Sequence, residues 1–191
     1  MDIGIAMRVI AGAAKGHPLK RPKNPRTRAT SNMVREAIFS MLESVAPDWS
    51  RVLDLYAGTG ALGIEALSRG AQWADFVEQS PKCCAIIKEN LEHTGLAERA
   101  KVYCSDAKKA LSFLSGGYGI ILLDPPYSDS ALTSILPKLT SSTLVTEETS
   151  IVVEHSRRLA LPDRYGDFQM MRNLRHGDTY ISVYQFSRGE T

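Results

Sequence analysis

The chain has 191 residues, a net charge of +2, 43% hydrophobic and 23% charged residues. These values fit a globular protein with one sizeable core and exclude a disordered chain or a collagen-like fibre. No apolar run approaches the roughly 18 residues of a membrane span, and Asp2 stands where a signal peptide needs bases.

The charge is unevenly spread. Residues 1–35 hold eight bases and one acid, a net +7, which leaves −5 on the remainder. A basic arm on a mildly acidic body is a footprint of nucleic-acid binding; a solvated terminus is the plainer alternative. Met7-Arg8-Val9-Ile10 has the form of a short strand. Gly12 to Gly16 make a turn, and Pro18-Leu19-Lys20 is the returning strand of a hairpin. Pro22, Pro25 and the bases between them predict an exposed linker. Then Val34, Ala37, Ile38, Met41, Leu42 and Val45 recur at the spacing of one helix face. Thr30 or Ser31 can cap that helix and Pro47 stops it. The chain thus divides into a basic hairpin and linker over 1–29 and a main domain over 30–191.

From residue 51 short apolar runs alternate with helical stretches. The runs are Val52-Leu53, Phe76-Val77, Val102-Tyr103, 120–123 and 151–153. Helices are predicted at roughly 60–69, 81–93, 106–114 and 129–139. Runs without polar alternation suit strands buried on both faces of a parallel sheet. Residues 169–174 and 179–186 flank His176-Gly177-Asp178, an antiparallel hairpin signal. The prediction is an open α/β sheet of about seven strands, mostly parallel, with a C-terminal antiparallel hairpin and a small N-terminal β-hairpin extension. In such a sheet the ligand lies beyond the carboxyl ends of the strands, near the switch in strand order.

The first strand leads into Asp54-Leu55-Tyr56-Ala57-Gly58-Thr59-Gly60-Ala61-Leu62-Gly63. Gly58 and Gly60 permit a tight turn with no Cβ between backbone and ligand, and the next helix aims its first amides there. Gly58-x-Gly60-x-x-Gly63 also satisfies the dinucleotide fingerprint, a weak signal alone. Glu78 ends the second strand and can accept from both hydroxyls of a ribose, in an NAD enzyme or an adenosyl-cofactor enzyme alike. Asp106 follows the third and can accept from an adenine amine or simply cap a helix. The fourth run enters Asp124-Pro125-Pro126-Tyr127. Two prolines remove backbone donors and leave carbonyls free to accept, beside the flat face of Tyr127. Such a cluster suits a planar base presenting an –NH2 group. Nicotinamide chemistry gives it no task.

Asp54-x-x-x-Gly58-x-Gly60, Glu78, Asp106 and Asp124-Pro125-Pro126-Tyr127 resemble the ordered motifs of S-adenosylmethionine-dependent methyltransferases acting on exocyclic amines. Residues 7–12, 28–37 and 54–60 closely resemble the RsmD family, and the resemblance extends over nearly the whole chain from Met7. Three positions depart from the family pattern: Ala29 replaces a usual proline, Asn32 a usual aspartate and Met33 a usual base. Residues 1–6 read as an extension or a misassigned start. The resemblance implies a Rossmann-like methyltransferase domain that uses S-adenosylmethionine. Its substrate would be the N2 amine of a guanine in 16S ribosomal RNA, in the small ribosomal subunit or an assembly intermediate. Cofactor binding falls to Asp54, Tyr56, Ala57, Gly58, Gly60, Glu78, Asp106 and Ala107, and catalysis to Asp124, Pro125, Pro126 and Tyr127. RNA binding is assigned to Arg8, Lys15, Lys20, Arg21, Lys23, Arg26 and Arg28. A monomer with no membrane association is expected.

No metal is called for, since His17, His93, His155 and His176 are scattered. Cys83, Cys84 and Cys104 form no disulfide framework, which favours a reducing compartment, the cytoplasm. Adjacent Cys83 and Cys84 read as buried thiols rather than nucleophiles. Glu154-His155 can line the substrate side or be structural. Three rivals stay open: an NAD-dependent oxidoreductase, a non-catalytic RNA-binding factor, and a methyltransferase of another amine such as adenine N6.

Overall fold

In the computed structural model, residues 7–22, 31–125 and 129–187 are described. The expectations on residues 1–6, Lys23, Pro25, Arg26, Arg28, Ala29, Thr30, Pro126 and Tyr127 lie outside them. Helix α1 (Asn32–Val45) occupies the stretch with helical apolar spacing, and Ser31 accepts from the Val34 amide as its cap. Ala46 leaves the helix at ψ 117°, as steric crowding by Pro47 requires.

The remaining elements are β1 (Arg51–Asp54), α2 (Ala61–Ser68), β2 (Trp73–Glu78), α3 (Pro81–His93), β3 (Ala100–Cys104), α4 (Ala107–Ala110), β4 (Ile120–Leu123), α5 (Asp129–Thr140), β5 (Ser150–Ser156), β6 (Arg164–Tyr165), β7 (Phe168–His176) and β8 (Thr179–Phe186). All eight strands join one sheet in the order β3-β2-β1-β4-β5-β8-β7-β6. The first five run parallel, and β8, β7 and β6 are added antiparallel. The eighth strand beyond the expected seven is two-residue β6, too short to leave a pattern in the sequence.

Alternate residues of the central strands face two cores. Val52, Ile120, Leu122 and Val152 pack with α1, α2 and α3. Leu53, Ile121, Leu123 and Val153 pack with α4 and α5. Each such side chain contributes about 1.5–3 kcal/mol, which is why these strands show no polar alternation. At the sheet's edge, β3 departs from that expectation and exposes Lys101 and Cys104.

One local expectation is corrected. The helix predicted over 106–114 is only α4 followed by turns. There Ser112 N–H donates to Lys109 O at 3.0 Å and Phe113 N–H to Ala110 O at 3.2 Å. The Ser112 hydroxyl also takes the Lys109 carbonyl at 2.7 Å, the competition by which serine loosens helices. The N-terminal hairpin forms as a short antiparallel ladder: Arg8 bridges Pro18, Leu19 N–H donates to Met7 O at 2.8 Å and Val9 N–H to His17 O at 3.0 Å. Burial holds this segment as well. Met7, Val9, Ala14 and Leu19 enter the same core as α1 and α2.

That docking is anchored by Glu65, the carboxylate of the mainly apolar α2. It accepts the Ile10 and Ala11 amides at 2.8 and 2.9 Å and Arg69 Nε at 2.9 Å. Fully buried Arg35 stands 3.9 Å from it and donates to Arg8 O and Asn32 Oδ1, each at 2.7 Å. Arg35 therefore leaves the basic arm and becomes part of the core. Asn32, a departure from the family pattern, has this structural role.

Candidate active site

The strand order reverses between β1 and β4, and the parallel strands bring Asp54, Glu78, Asp106 and Asp124 to one edge of the sheet. Asp54 is buried at the end of β1. Its Oδ2 accepts the Gly63 amide at 2.9 Å, and its Oδ1 has no partner among the described residues. The proton affinity of Asp54 is raised, from 3.8 to about 7. Burial is the main cause; the Gly63 bond opposes it, and the Asp124 and Glu78 charges add to it. Gly63 itself is required by packing: a Cβ there would collide with the ring of Phe76 in β2.

The turn between β1 and α2 folds as the glycines predict. Gly58 and Gly60 take φ of 55° and 78°, which disfavours side chains. Gly58 N–H donates to Glu78 Oε2 at 2.9 Å, and Ser80 N–H donates to Oε1 at 2.8 Å. Glu78 thus ties the glycine turn to the start of α3. Each carboxylate oxygen still has accepting capacity, as a ribose pair would need. Behind the turn, Asn90 of α3 donates to Thr59 O at 3.0 Å and accepts Lys20 N–H at 2.7 Å. The N-terminal segment and the glycine turn therefore share one clamp.

Asp106 meets the capping reading through Oδ1 alone, so both readings stay open. It caps α4, accepting Lys108 and Lys109 amides at 2.9 and 3.2 Å. Tyr56, half-buried, faces this acid; burial first and the Asp106 charge second push its hydroxyl up to about 12. Ala57 and Ala107 are buried beside them. Asp124 leaves β4 half-buried, and Pro125 behind it is buried.

The basic residues fare differently. Lys15 and Arg21 are exposed. Lys20 pairs with Glu89 at 2.8 Å, and Arg8 donates to Gly16 O at 2.8 Å. His155 sits inside β5 and pairs with Ser182 Oγ at 2.9 Å, so it is structural. Cys84 is buried, and burial together with the neighbouring Cys104 pushes its thiol up to about 12. That suppresses the thiolate a nucleophile needs. Glu65 and Asn90 were not singled out as supports of the site. A charged residue among Leu62, Ile64, Ala66 and Leu67 was the one available signal for Glu65.

Strand order and closing hairpin make this a Rossmann-like fold of the methyltransferase class. A solved structure of yhhF from Escherichia coli superposes with a TM-score of 0.84 at 31% identity, covering 95% of this chain and 98% of that one. An RNA methyltransferase from Salinibacter ruber, in complex with S-adenosyl-L-homocysteine, shares the fold at TM-score 0.60 and 18% identity, covering 86% and 97%. The family model described as Conserved hypothetical protein 95 matches residues 7–185. YlbH of Bacillus subtilis (strain 168) is 40% identical over 182 residues, 94% of this chain and 98% of its own. Ribosomal RNA small subunit methyltransferase D of Escherichia coli (strain K12) is 32% identical over 179 residues, 94% and 89%. The chain belongs to this family, the RsmD family of rRNA methyltransferases. Membership removes the oxidoreductase reading.

Proposed function

We propose that this protein transfers the methyl group of S-adenosylmethionine to the exocyclic N2 amine of a guanine in 16S ribosomal RNA, in the cytoplasm. The observation that carries the reading is the cluster of Asp54, Glu78 and Asp124 at the switch point, where burial first and the charges of Asp124 and Glu78 second raise the proton affinity of Asp54. Such a cluster calls for a cation, and the cofactor bears a sulfonium and an ammonium. The buried, unpartnered Oδ1 of Asp54 is an acceptor available to such a group. Glu78 would hold the ribose, Asp106 with Tyr56 and Ala107 the adenine, and Ala57, Gly58 and Gly60 the turn beneath. The family relative named for the small subunit supports the RNA, and guanine N2 rests on the family resemblance.

When bound, S-adenosylmethionine supplies an electrophilic methyl group. The amine it meets is planar and weakly nucleophilic, because its lone pair is delocalised into the ring. The Asp124 carboxylate and the Pro125 carbonyl accept its two N–H bonds and turn the lone pair out of the ring plane. As positive charge develops on nitrogen, these fixed acceptors stabilise it, so their effect falls on the transition state. The proton that the methylated nitrogen loses passes to Asp124 or to solvent. Tyr127 stacks on the base and restricts its orientation. A guanine reached this way is unstacked from its neighbours first, which RNA loops permit more readily than duplexes. The exposed bases Lys15 and Arg21, with Lys23, Arg26 and Arg28, hold phosphates.

The test is methyl transfer to unmodified 16S RNA followed by nucleoside analysis. N2-methylguanosine is the expected product, and N6-methyladenosine would replace the base assignment. Asp124→Ala should lower the rate by on the order of 100-fold or more while cofactor binding persists. Asp124→Asn separates the roles: retained activity identifies alignment, and a rate as low as alanine's identifies proton removal. A wild-type rate in Asp124→Ala would remove this residue from the reaction centre.

A further inference from the structure

The C-terminal hairpin carries a concentration of charge with no task in the mechanism above. β7 and β8 join through Gly177-Asp178, with His176 opposite Thr179. Since β8 is antiparallel to β5 and pairs Thr179 with Ser156, the hairpin's tip stands at the carboxyl end of β5. That edge also presents Asp124 beyond β4. The order β4-β5-β8-β7 places β7 three strand spacings to the side of β4, about 14 Å, with Asn173 level with Leu123.

Four exposed arginines lie there: Arg157 and Arg158 just after β5, Arg175 on β7 in the row of Tyr180, and Arg172 three residues earlier on the opposite face of the strand. The Arg157 amide donates to Asp178 O at 2.9 Å, which closes the tip against the exit of β5. Arg175 Nε donates to Gly177 O at 3.1 Å. None of the four has an acidic partner among the described residues. Asp178 and the buried Glu154 are the acids nearest them in sequence, whereas the far end of the hairpin mixes Asp163, Arg164 and Asp167. The positive charge is therefore segregated toward the active edge.

Flat and apolar groups interleave with it. Arg175, Tyr180 and His155 lie in one cross-strand row, so their side chains share a face. The Tyr180 and His155 rings stack at 5.8 Å and 18°, with Tyr180 half-buried. On the opposite face, beside Arg172, Leu174 is exposed at 42%, and Met171 at the strand's irregularity at 49%. Guanidinium groups beside an aromatic face are what single-stranded RNA requires, cations for phosphates and planes for bases.

We infer that the hairpin tip is a second RNA-contact surface, holding the strand that flanks the nucleotide inserted at Asp124. The inference rests on the RNA-methyltransferase reading. Its plain competitor is that the arginines only guard the outer edge of β7, which among the described residues has no strand partner beyond Gln169.

The experiment uses the full chain and unmodified 16S RNA over a series of salt concentrations. The variants are Arg157→Gln/Arg158→Gln, Arg172→Gln/Arg175→Gln, their combination, and Arg164→Gln at the far end as control. The combined variant should bind RNA on the order of tenfold or more weakly at moderate salt, with a flatter salt dependence. KM for RNA should rise with little change in kcat, and stabilisation by S-adenosylmethionine should stay as in wild type. Each double variant should show part of the loss, so a misfolded combination still leaves a result. Affinity and salt slope equal to wild type in both folded doubles overturn the inference. So does unchanged RNA affinity with lost binding to assembled small subunits, which would assign the surface to a protein. If wild type takes up the cofactor but neither binds nor methylates RNA, the parent reading fails instead.

Discussion

Asp54→Asn probes the buried carboxylate at the centre of the site. Asp54 keeps one bond, from Gly63, and is otherwise enclosed. Its folded-state value of about 7 stands against 3.8 for an ordinary aspartate. Between these values the folded chain holds a proton that the unfolded chain has released. The stability contribution is therefore complete below about pH 4 and is lost as pH rises through about 7. Roughly three pH units at 1.36 kcal/mol each give about 4 kcal/mol, an order-of-magnitude figure. Asparagine keeps an oxygen for the Gly63 amide and does not titrate. Urea unfolding of both proteins without cofactor, from pH 4 to pH 8, should show the variant gaining on wild type by several kcal/mol as pH rises. A difference that stays flat, or that moves in favour of wild type, refutes the reasoning. The same charge balance bears on the cofactor. A bound cation pulls the Asp54 value down, so wild-type binding should tighten toward pH 7 and release a proton. Titration calorimetry in buffers of different ionisation enthalpy reads that proton, and Asp54→Asn should abolish it.

Two further outcomes follow from single contacts. Glu78→Ala removes the carboxylate that holds the Gly58 and Ser80 amides. It should weaken S-adenosylmethionine by about 1–3 kcal/mol in a titration, and unchanged affinity would free Glu78 from the site. Gly63→Ala drives a methyl into the Phe76 ring and should destabilise by about 1–3 kcal/mol. Denaturation of Gly63→Ala with and without Phe76→Leu checks the cause, because the smaller side chain should recover part of the loss.

Much of the architecture was legible in the chain because it is local. Apolar residues at helical spacing define α1, and the run 120–123 can only be a buried strand once helices flank it. Gly58 and Gly60 marked their turn because few other residues accept positive φ. The order of strand-end acids was equally readable, since a parallel sheet sends every such end to one edge. What each acid touches depends on residues far away in sequence. Asp106 spends one oxygen on its own helix, and Glu78 reaches back 20 residues to Gly58. Arg35 read as one more base of a cationic arm until the fold brought Glu65 to it and buried both. Charge could be counted in the sequence, but its placement could not. Arg157, Arg158 and Arg175 come together only because β8 returns antiparallel beside β5. Periodicity and turn chemistry act over a few residues, so the sequence alone determined the elements and the edge where chemistry lies. Burial and long-range pairing act through the packed whole, so only the tertiary structure decided which charges are core and which stay on the surface.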